Sequence, residues 1–242
     1  MIKLFTILFL IANLGWSCSK PGCLGKAGPS QTLTRELGAF SSIRLEGNVN
    51  LVLVQDNGSA AAITGPVNII ENISTTIVDG QLLIGNETSC RWARDPGEEV
   101  TVRLSFTSLD FLDYAGSGSV TNVDTLRLDN LKIESYTGAG DVELTVDNRY
   151  TGVFVHLENA GVTMHGRSVQ CNTYTNSRGL TDLRDLEVEH LFIEYGGLAD
   201  TYVNVTGTLD AILYYKGNVY YRGNPVITRD QHYSTGRLIG RP

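Results

Sequence analysis

The chain has 242 residues, 42% hydrophobic and 19% charged, enough to bury one sizeable core and too apolar for a disordered chain. Lys plus Arg number 19 against 26 for Asp plus Glu. The resulting net charge of -7 opposes nucleic-acid phosphates and anionic lipid head groups, so a nucleic-acid partner is set aside.

At the amino end, Lys3 precedes the apolar run Leu4 to Leu14, and Gly15-Trp16-Ser17 leads into Cys18. The run is shorter than the roughly 20 residues of a spanning helix and has the length of a signal-peptide core. It resembles a bacterial lipoprotein signal over residues 1–17, in which Cys18 becomes the first mature residue and carries the lipid. Gly15 stands where that signal usually has leucine, and cleavage as a plain secretory peptide is the other reading. Both export the chain to the cell envelope, and the lipoprotein reading places it at the outer membrane, on its periplasmic or surface face. Lipidation of Cys18 leaves Cys23, Cys90 and Cys171, an odd number in an oxidising compartment. Cys23 and Cys90 lie in polar, glycine-rich stretches and are the candidate disulfide pair. Cys171 stands where apolar residues begin the other repeats and is expected as a small buried hydrophobe.

Residues 18–37 hold Pro21, Pro29 and several glycines with little periodicity, and read as a flexible tether into a folded domain over 38–242. Within it, 38–108 reads as an amino-terminal β part. Ile43-Arg44-Leu45, Leu51 to Val54, Ala62-Ile63, Thr75 to Val78 and Leu82 to Ile84 are short apolar runs separated by turn signals such as Asp56-Asn57-Gly58 and Asp79-Gly80. Val100 to Leu104 then alternates with period two.

From 109 to 242 small residues recur about every twenty positions: Gly116-Ser117-Gly118, Gly138-Ala139-Gly140, Ala160-Gly161, Arg178-Gly179, Gly196-Gly197, Lys216-Gly217-Asn218 and Thr235-Gly236. Apolar alternations start at Leu109, Leu131, Val153, Cys171, Leu191 and Leu209, which are expected to stack as one inward column. No stretch of ten residues holds a helical period, so almost no helix is expected. Units of this length, stacked in parallel about 4.8 Å apart, make an all-β, single-stranded β-solenoid with about 20-residue coils, glycine marking corners where a side chain would strike the next coil. An antiparallel β-sandwich is the alternative, since it too spaces strands by turn signals. Propeller blades need about twice the length.

The strings Asp113-Tyr114-Ala115-Gly116-Ser117-Gly118-Ser119-Val120 and Tyr136-Thr137-Gly138-Ala139-Gly140-Asp141-Val142, with the ending Gly217-Asn218-Val219-Tyr220-Tyr221-Arg222-Gly223-Asn224-Pro225, resemble the putative auto-transporter adhesin family with a head GIN domain. So do the opening Phe40-Ser41-Ser42-Ile43 and the preceding signal. The resemblance runs from about Phe40 to Pro242 and implies a right-handed β-helix-like fold at a bacterial surface or periplasmic face. Ala160-Gly161, Arg178-Gly179 and Gly196-Gly197 depart from the Gly-Ser-Gly that the family tends to repeat, so those corners are expected to be reshaped.

No motif points to catalysis, a cofactor or a bound metal. Asp110, Asp113, Asp124, Asp129, Asp141 and Asp147 lie near corners and read as surface charge, because calcium-binding solenoids need a nine-residue G-G-x-G-x-D unit. Gly116-Ser117-Gly118 precedes more strand rather than the helix a phosphate loop requires. His156, His165, His190 and His232 lack zinc-like spacing and read as surface or packing residues. Tyr114 and Tyr136 stand two residues before a glycine, Tyr195 precedes Gly196, and Tyr214, Tyr215, Tyr220 and Tyr221 crowd the last coil; they are ladder residues of stacked strands or an exposed strip for sugars or a partner. The expected function is therefore non-enzymatic binding or adhesion by an exported lipoprotein, through an unknown protein or glycan ligand. A glycan-active β-helix enzyme and a structural envelope protein that forms a homo-oligomer through its last edge strand are the alternatives.

Overall fold

The computed structural model describes residues 28–87, 99–157 and 159–241. Within them the elements are strands, apart from one helical turn, α1 (Val67–Ile70). The amino-terminal part holds β1 (Ser30–Glu36), β2 (Ser42–Gly47), β3 (Asn50–Gln55), β4 (Ala60–Pro66), β5 (Ile73–Val78), β6 (Gln81–Asn86) and β7 (Thr101–Phe106). Then come β8 (Phe111–Gly116), β9 (Val120–Asn122), β10 (Asn130–Ser135), β11 (Asp141–Val155), β12 (Gly161–Thr175), β13 (Thr181–Tyr195) and β14 (Thr201–Leu213). The carboxyl end adds β15 (Val219–Arg222), β16 (Val226–His232) and β17 (Leu238–Gly240).

From β8 onward each coil lies parallel on the one before, as the twenty-residue beat predicts, and the result is a β-solenoid. The long strands show how a coil turns. In β11 the inward side chains are Val142, Leu144 and Val146, then Thr151, Val153 and Val155, all buried. The period-two alternation slips between Asn148 and Thr151, and there the strand leaves one face and begins the next. Buried Asn148 serves this corner by accepting the Leu128 N–H at 3.1 Å.

Parallel register turns apolar positions into continuous columns. One runs Leu82, Ile43, Leu112, Ile133, Val153, Thr173, Ile193 and Ala211. Its neighbour runs Leu131, Thr151, Cys171, Leu191 and Leu209, and every member is buried. The expected column thus holds from Cys171 onward and is corrected at Val153: Thr151, two residues earlier, sits on Leu131 and Cys171. A buried threonine breaks the apolar pattern without breaking the geometry. Cys171 is fully buried in its column as a free thiol, and burial pushes it up to about 12.

The amino-terminal part is not a separate lobe. β2 pairs in parallel with β8 and β3 with β9, so residues 42–55 form a coil beneath the repeats. On their other edges β2 pairs with β6 and β3 with β7. The coil made first along the chain therefore lies inside the stack, and β6 with β7 covers it. Antiparallel pairing, the hallmark of the sandwich alternative, is confined among the described residues to β1–β4, β4–β7 and the β5–β6 hairpin. That hairpin turns at Asp79-Gly80, both at positive φ as a two-residue hairpin turn requires.

Residues 30–36 correct the tether expected over 18–37. Thr32, Leu33 and Thr34 pair with Thr64, Ile63 and Ala62, and this antiparallel ladder makes β1 an edge strand of the fold. Its polar outer residues explain why it reads as a linker. The glycine corners, in contrast, are where the beat predicts them. Ser117 N–H donates to Gly47 O at 2.8 Å, Ala139 N–H to Gly116 O at 2.9 Å and Gly161 N–H to Gly140 O at 3.1 Å. A Cβ on Gly118 would come closer than 3.0 Å to the Val49 carbonyl of the coil below. Those glycines serve backbone approach.

Candidate functional site

The outward positions of β8, β10 and the second halves of β11–β14 form one face of the stack, and its residues follow from the register. One outward column runs Phe111, Lys132, Gly152, Asn172, Phe192 and Asp210. The next runs Arg44, Asp113, Glu134, Phe154, Tyr174, Glu194 and Ile212. A third begins just past the strand ends. Its rungs are Tyr136, His156, Asn176, Gly196, Tyr214 and Tyr233, and it is held by His156 N–H to Ser135 O, Asn176 N–H to Val155 O, Gly196 N–H to Thr175 O, Tyr214 N–H to Tyr195 O and Tyr233 N–H to Leu213 O, all 2.7–2.9 Å. Aromatic rings therefore concentrate on this face.

They also stack. Tyr136 and His156 lie 3.9 Å apart with planes 3° from parallel, and Tyr214 and Tyr233 lie 5.3 Å apart at 5°. Tyr174 tilts against His156 at 5.2 Å. Lys132 reaches between Phe111 and Phe154, its Nζ 5.3 and 4.9 Å from the ring centres, while donating to Glu134 Oε2 at 2.8 Å. This holds the ammonium against two ring faces and neutralises it at once.

Around Tyr136, Phe111 and Phe154 the charges beside the rings are paired. Arg44 donates to Glu46 at 2.6 Å and also to Asp113. His156 Nε2 lies 3.1 Å from Glu134 Oε1. Burial pushes the Glu134 carboxyl up, but the hydrogen bonds and charge from Lys132 and His156 outweigh it and hold the group below its ordinary 4.5. The folded state therefore binds that proton less readily than the unfolded chain does. The stabilisation is complete above pH 4.5 and is lost as pH falls through the lowered value. Glu134→Gln is expected to flatten the acid limb of the stability profile. Urea midpoints at pH 3 and pH 7 for both proteins check this, and an equal drop in each would overturn it.

Between His156 and Tyr214 the aromatic column is interrupted for two rungs, Asn176 and Gly196. There a cavity of about 400 Å³ opens, lined by Leu157, Asn176, Ser177, Arg178, Gly196, Leu198, Tyr214 and Tyr215. Leu157 and Leu198, both in its lining, are 74% and 54% exposed, high values for leucine.

The tyrosines singled out in the sequence divide in two. Tyr136, Tyr214 and Tyr215 are exposed, whereas Tyr114 and Tyr195 are fully buried and donate to Gly118 O and Ala199 O, four residues on. The expected equivalence of Tyr114 and Tyr136 is corrected by the ladder, in which Glu134 pairs with Asp113. That places Ser135 on Tyr114 and turns Tyr136 to the opposite side, because one step reverses a strand residue. Tyr220 stacks on Tyr202 at 5.4 Å beneath Arg241, and Tyr221 packs partly against the core. Phe154 and Phe192 were missed as surface residues, although each stands between two inward residues and alternation alone turns it outward.

The other expected residues disperse. Asp113 joins Arg44, while Asp110, Asp124, Asp129, Asp141 and Asp147 share no cluster with it; among the described residues no three His, Cys, Asp or Glu side chains are placed to hold a metal ion. His165 lies 3.1 Å from Glu143, His190 lies 2.9 Å from Thr208, and His232 lies 2.7 Å from Asp230. Cys18, Cys23 and Cys90 lie outside the described residues.

Solved structures share this architecture. A putative adhesin of Bacteroides fragilis NCTC 9343 superimposes with a TM-score of 0.74 at 20% identity, over 88% of this chain and 97% of the other. A putative adhesin of Parabacteroides distasonis ATCC 8503 gives 0.66 at 15% identity, over 88% and 96%. A protein of the same organism described as a putative lipid binding protein gives 0.65 at 15%, over 89% and 98%. At these identities the likeness shows the fold. No curated protein matches the chain. Residues 39–225 match the family described as putative auto-transporter adhesin, head GIN domain, and with most of its length inside that match the chain belongs to this family.

Proposed function

We propose that the protein is a non-enzymatic binding or adhesion protein, exported and held at the bacterial envelope by lipid on Cys18, with the aromatic face as its contact surface. The observation that carries this reading is the pair of exposed ring stacks, Tyr136 on His156 and Tyr214 on Tyr233, on the same outward column. Rigid rings lose little conformational entropy on contact and offer apolar faces with polar edges, the properties of adhesive surfaces. Cys23 and Cys90 are proposed to pair in the same oxidising compartment.

The test is a cell-adhesion assay with the full chain expressed in a bacterial host, on surfaces coated with extracellular-matrix protein or with mixed glycans. Tyr136→Ala with Tyr214→Ala is expected to cut retention at least about fivefold while the protein stays in the membrane fraction. Cys18→Ser is expected to release the protein from that fraction. Unchanged adhesion in the double variant would overturn the surface assignment, and membrane retention of the cysteine variant would overturn the anchor.

A glycan-active enzyme is the second reading, and the convergence of Arg44, Asp113, Lys132 and Glu134 on adjoining columns favours it. Glycoside hydrolysis, however, asks for one carboxyl raised to act as an acid. Glu134 is shifted the opposite way, and Asp113 is tied to Arg44. Binding is therefore preferred.

A further inference from the structure

The interruption of the aromatic column has the construction of a ligand subsite. Asn176, Ser177 and Arg178 give its lining polar groups, and Leu157, Leu198, Tyr214 and Tyr215 give it apolar surface. Tyr214 turns one ring face to Tyr233, leaving the other toward the empty rungs. Two rungs without a ring, at about 4.8 Å each, leave a gap of about 10 Å along the stack.

Ser177 supplies an independent observation. Ser177 is 7% exposed and its Oγ is closed to solvent, yet that Oγ has no hydrogen-bond partner among the described residues. A buried hydroxyl without a partner costs about 1–3 kcal/mol, so a protein that keeps one on a residue lining a cavity gains from it elsewhere. Arg178 beside it makes no ion pair among the described residues, and its guanidinium offers a planar set of donors. Asn176 adds both an amide donor and an acceptor.

We infer that this subsite binds one hexopyranose ring of a larger glycan. The apolar C–H face of the ring lies on Tyr214 and the leucines. Its hydroxyls bond the Asn176 amide and the Ser177 hydroxyl, which turns about its Cα–Cβ bond to meet them, and Arg178 bonds a hydroxyl oxygen or, on a uronic acid, the carboxylate. A flat hydrocarbon ligand would leave Ser177 and Asn176 unpaired, and a purely ionic one would not use the exposed leucines and tyrosines. A cavity of about 400 Å³ falls within the range of small-molecule sites, with room for one ring and its linkages. No reaction is involved. The proposal rests on the aromatic face being the contact surface and names what that surface grips.

Calorimetry and tyrosine fluorescence on residues 19–242 test it with four probes: hexamers of β-linked glucose, mannose, N-acetylglucosamine and galacturonic acid. At least one is expected to bind. Asn176→Phe, which puts a ring into the gap, and Tyr214→Ala are each expected to weaken that probe about tenfold or more. Ser177→Ala is expected to weaken it about threefold or more without lowering thermal stability, because it removes a hydroxyl that the fold leaves unpaired. A purely structural role predicts the reverse. Arg178→Ala separates the sources: loss confined to the galacturonate hexamer identifies an acidic ring, and equal loss on a neutral hexamer identifies hydroxyl recognition. The inference is overturned if no hexamer binds, or if a hexamer binds and is indifferent to Asn176→Phe. In either case the adhesion assay on Tyr136 and Tyr214 still decides the wider reading, so the two can fail separately.

Discussion

Gly166→Val is expected to lower the unfolding free energy by about 3 kcal/mol or more. Gly166 sits inside β12, in register with Val146 below and Leu186 above, at φ +98. A Cβ there would come closer than 3.0 Å to the Val146 carbonyl oxygen, a backbone atom that cannot turn away as a side chain could. Valine thus meets two costs, an unfavourable φ and a collision with the neighbouring coil, each about 1–3 kcal/mol. Because coils stabilise one another by stacking, the disturbance also weakens the ladders on both sides. Guanidinium unfolding followed by circular dichroism checks this. A loss below about 1 kcal/mol would show that the coils can spread at this point.

The second large effect concerns the buried tyrosines. Tyr195→Ala is expected to cost about 3–5 kcal/mol and Tyr195→Phe about 1–3 kcal/mol. Tyr195 is 1% exposed, and its hydroxyl donates to Ala199 O across the corner that begins at Gly196. Tyr114 repeats the arrangement with Gly118 O. Both share the column Leu45, Tyr114, Ser135, Val155, Thr175, Tyr195 and Leu213, so the same device closes two distant corners. Removing the ring empties the column, whereas removing only the hydroxyl leaves a carbonyl without its donor. Burial pushes both phenols up to about 12, from 10.0. The associated stability is intact below pH 10 and is lost as pH rises toward 12, so alkaline unfolding of Tyr195→Phe is expected to be less steep. Urea unfolding of both variants at pH 7 and pH 10.5 reads the ordering, and a phenylalanine variant as unstable as the alanine one would refute it.

Some of this was legible in the sequence and some was not, for identifiable reasons. The stacked coils were legible because corners recur, and corners demand glycine wherever two backbones touch, as at Gly118 and Val49. The exact register was not. Thr151 is a core residue with a hydroxyl, so a hydrophobic pattern skips it and starts at Val153. Counting back from a glycine failed for Tyr136 because Ser135 holds the place on Tyr114 and Tyr136 lies one step beyond it. Phe154 and Phe192 were available to a reader of alternation. The candidate subsite was not, since it depends on Asn176 and Gly196 lying above His156 and below Tyr214, a relation between coils, and on Ser177 lacking a partner. Nor does any local pattern say that β2 and β3 are enclosed by β6 and β7 on one side and β8 and β9 on the other.

That enclosure sets how the molecule bears force. In a rod whose first coil is also its outermost, a pull on the amino-terminal side opens hydrogen bonds one at a time, like a zipper. Here such a pull strips β1 and then reaches β2, which is bonded along both edges. β3 is gripped in the same way, so the two ladders must shear together. Among the described residues the opposite end has no such lock, because there β16 and β17 pair on one edge only. Tension applied from the amino-terminal side therefore meets the part of the molecule best able to resist it.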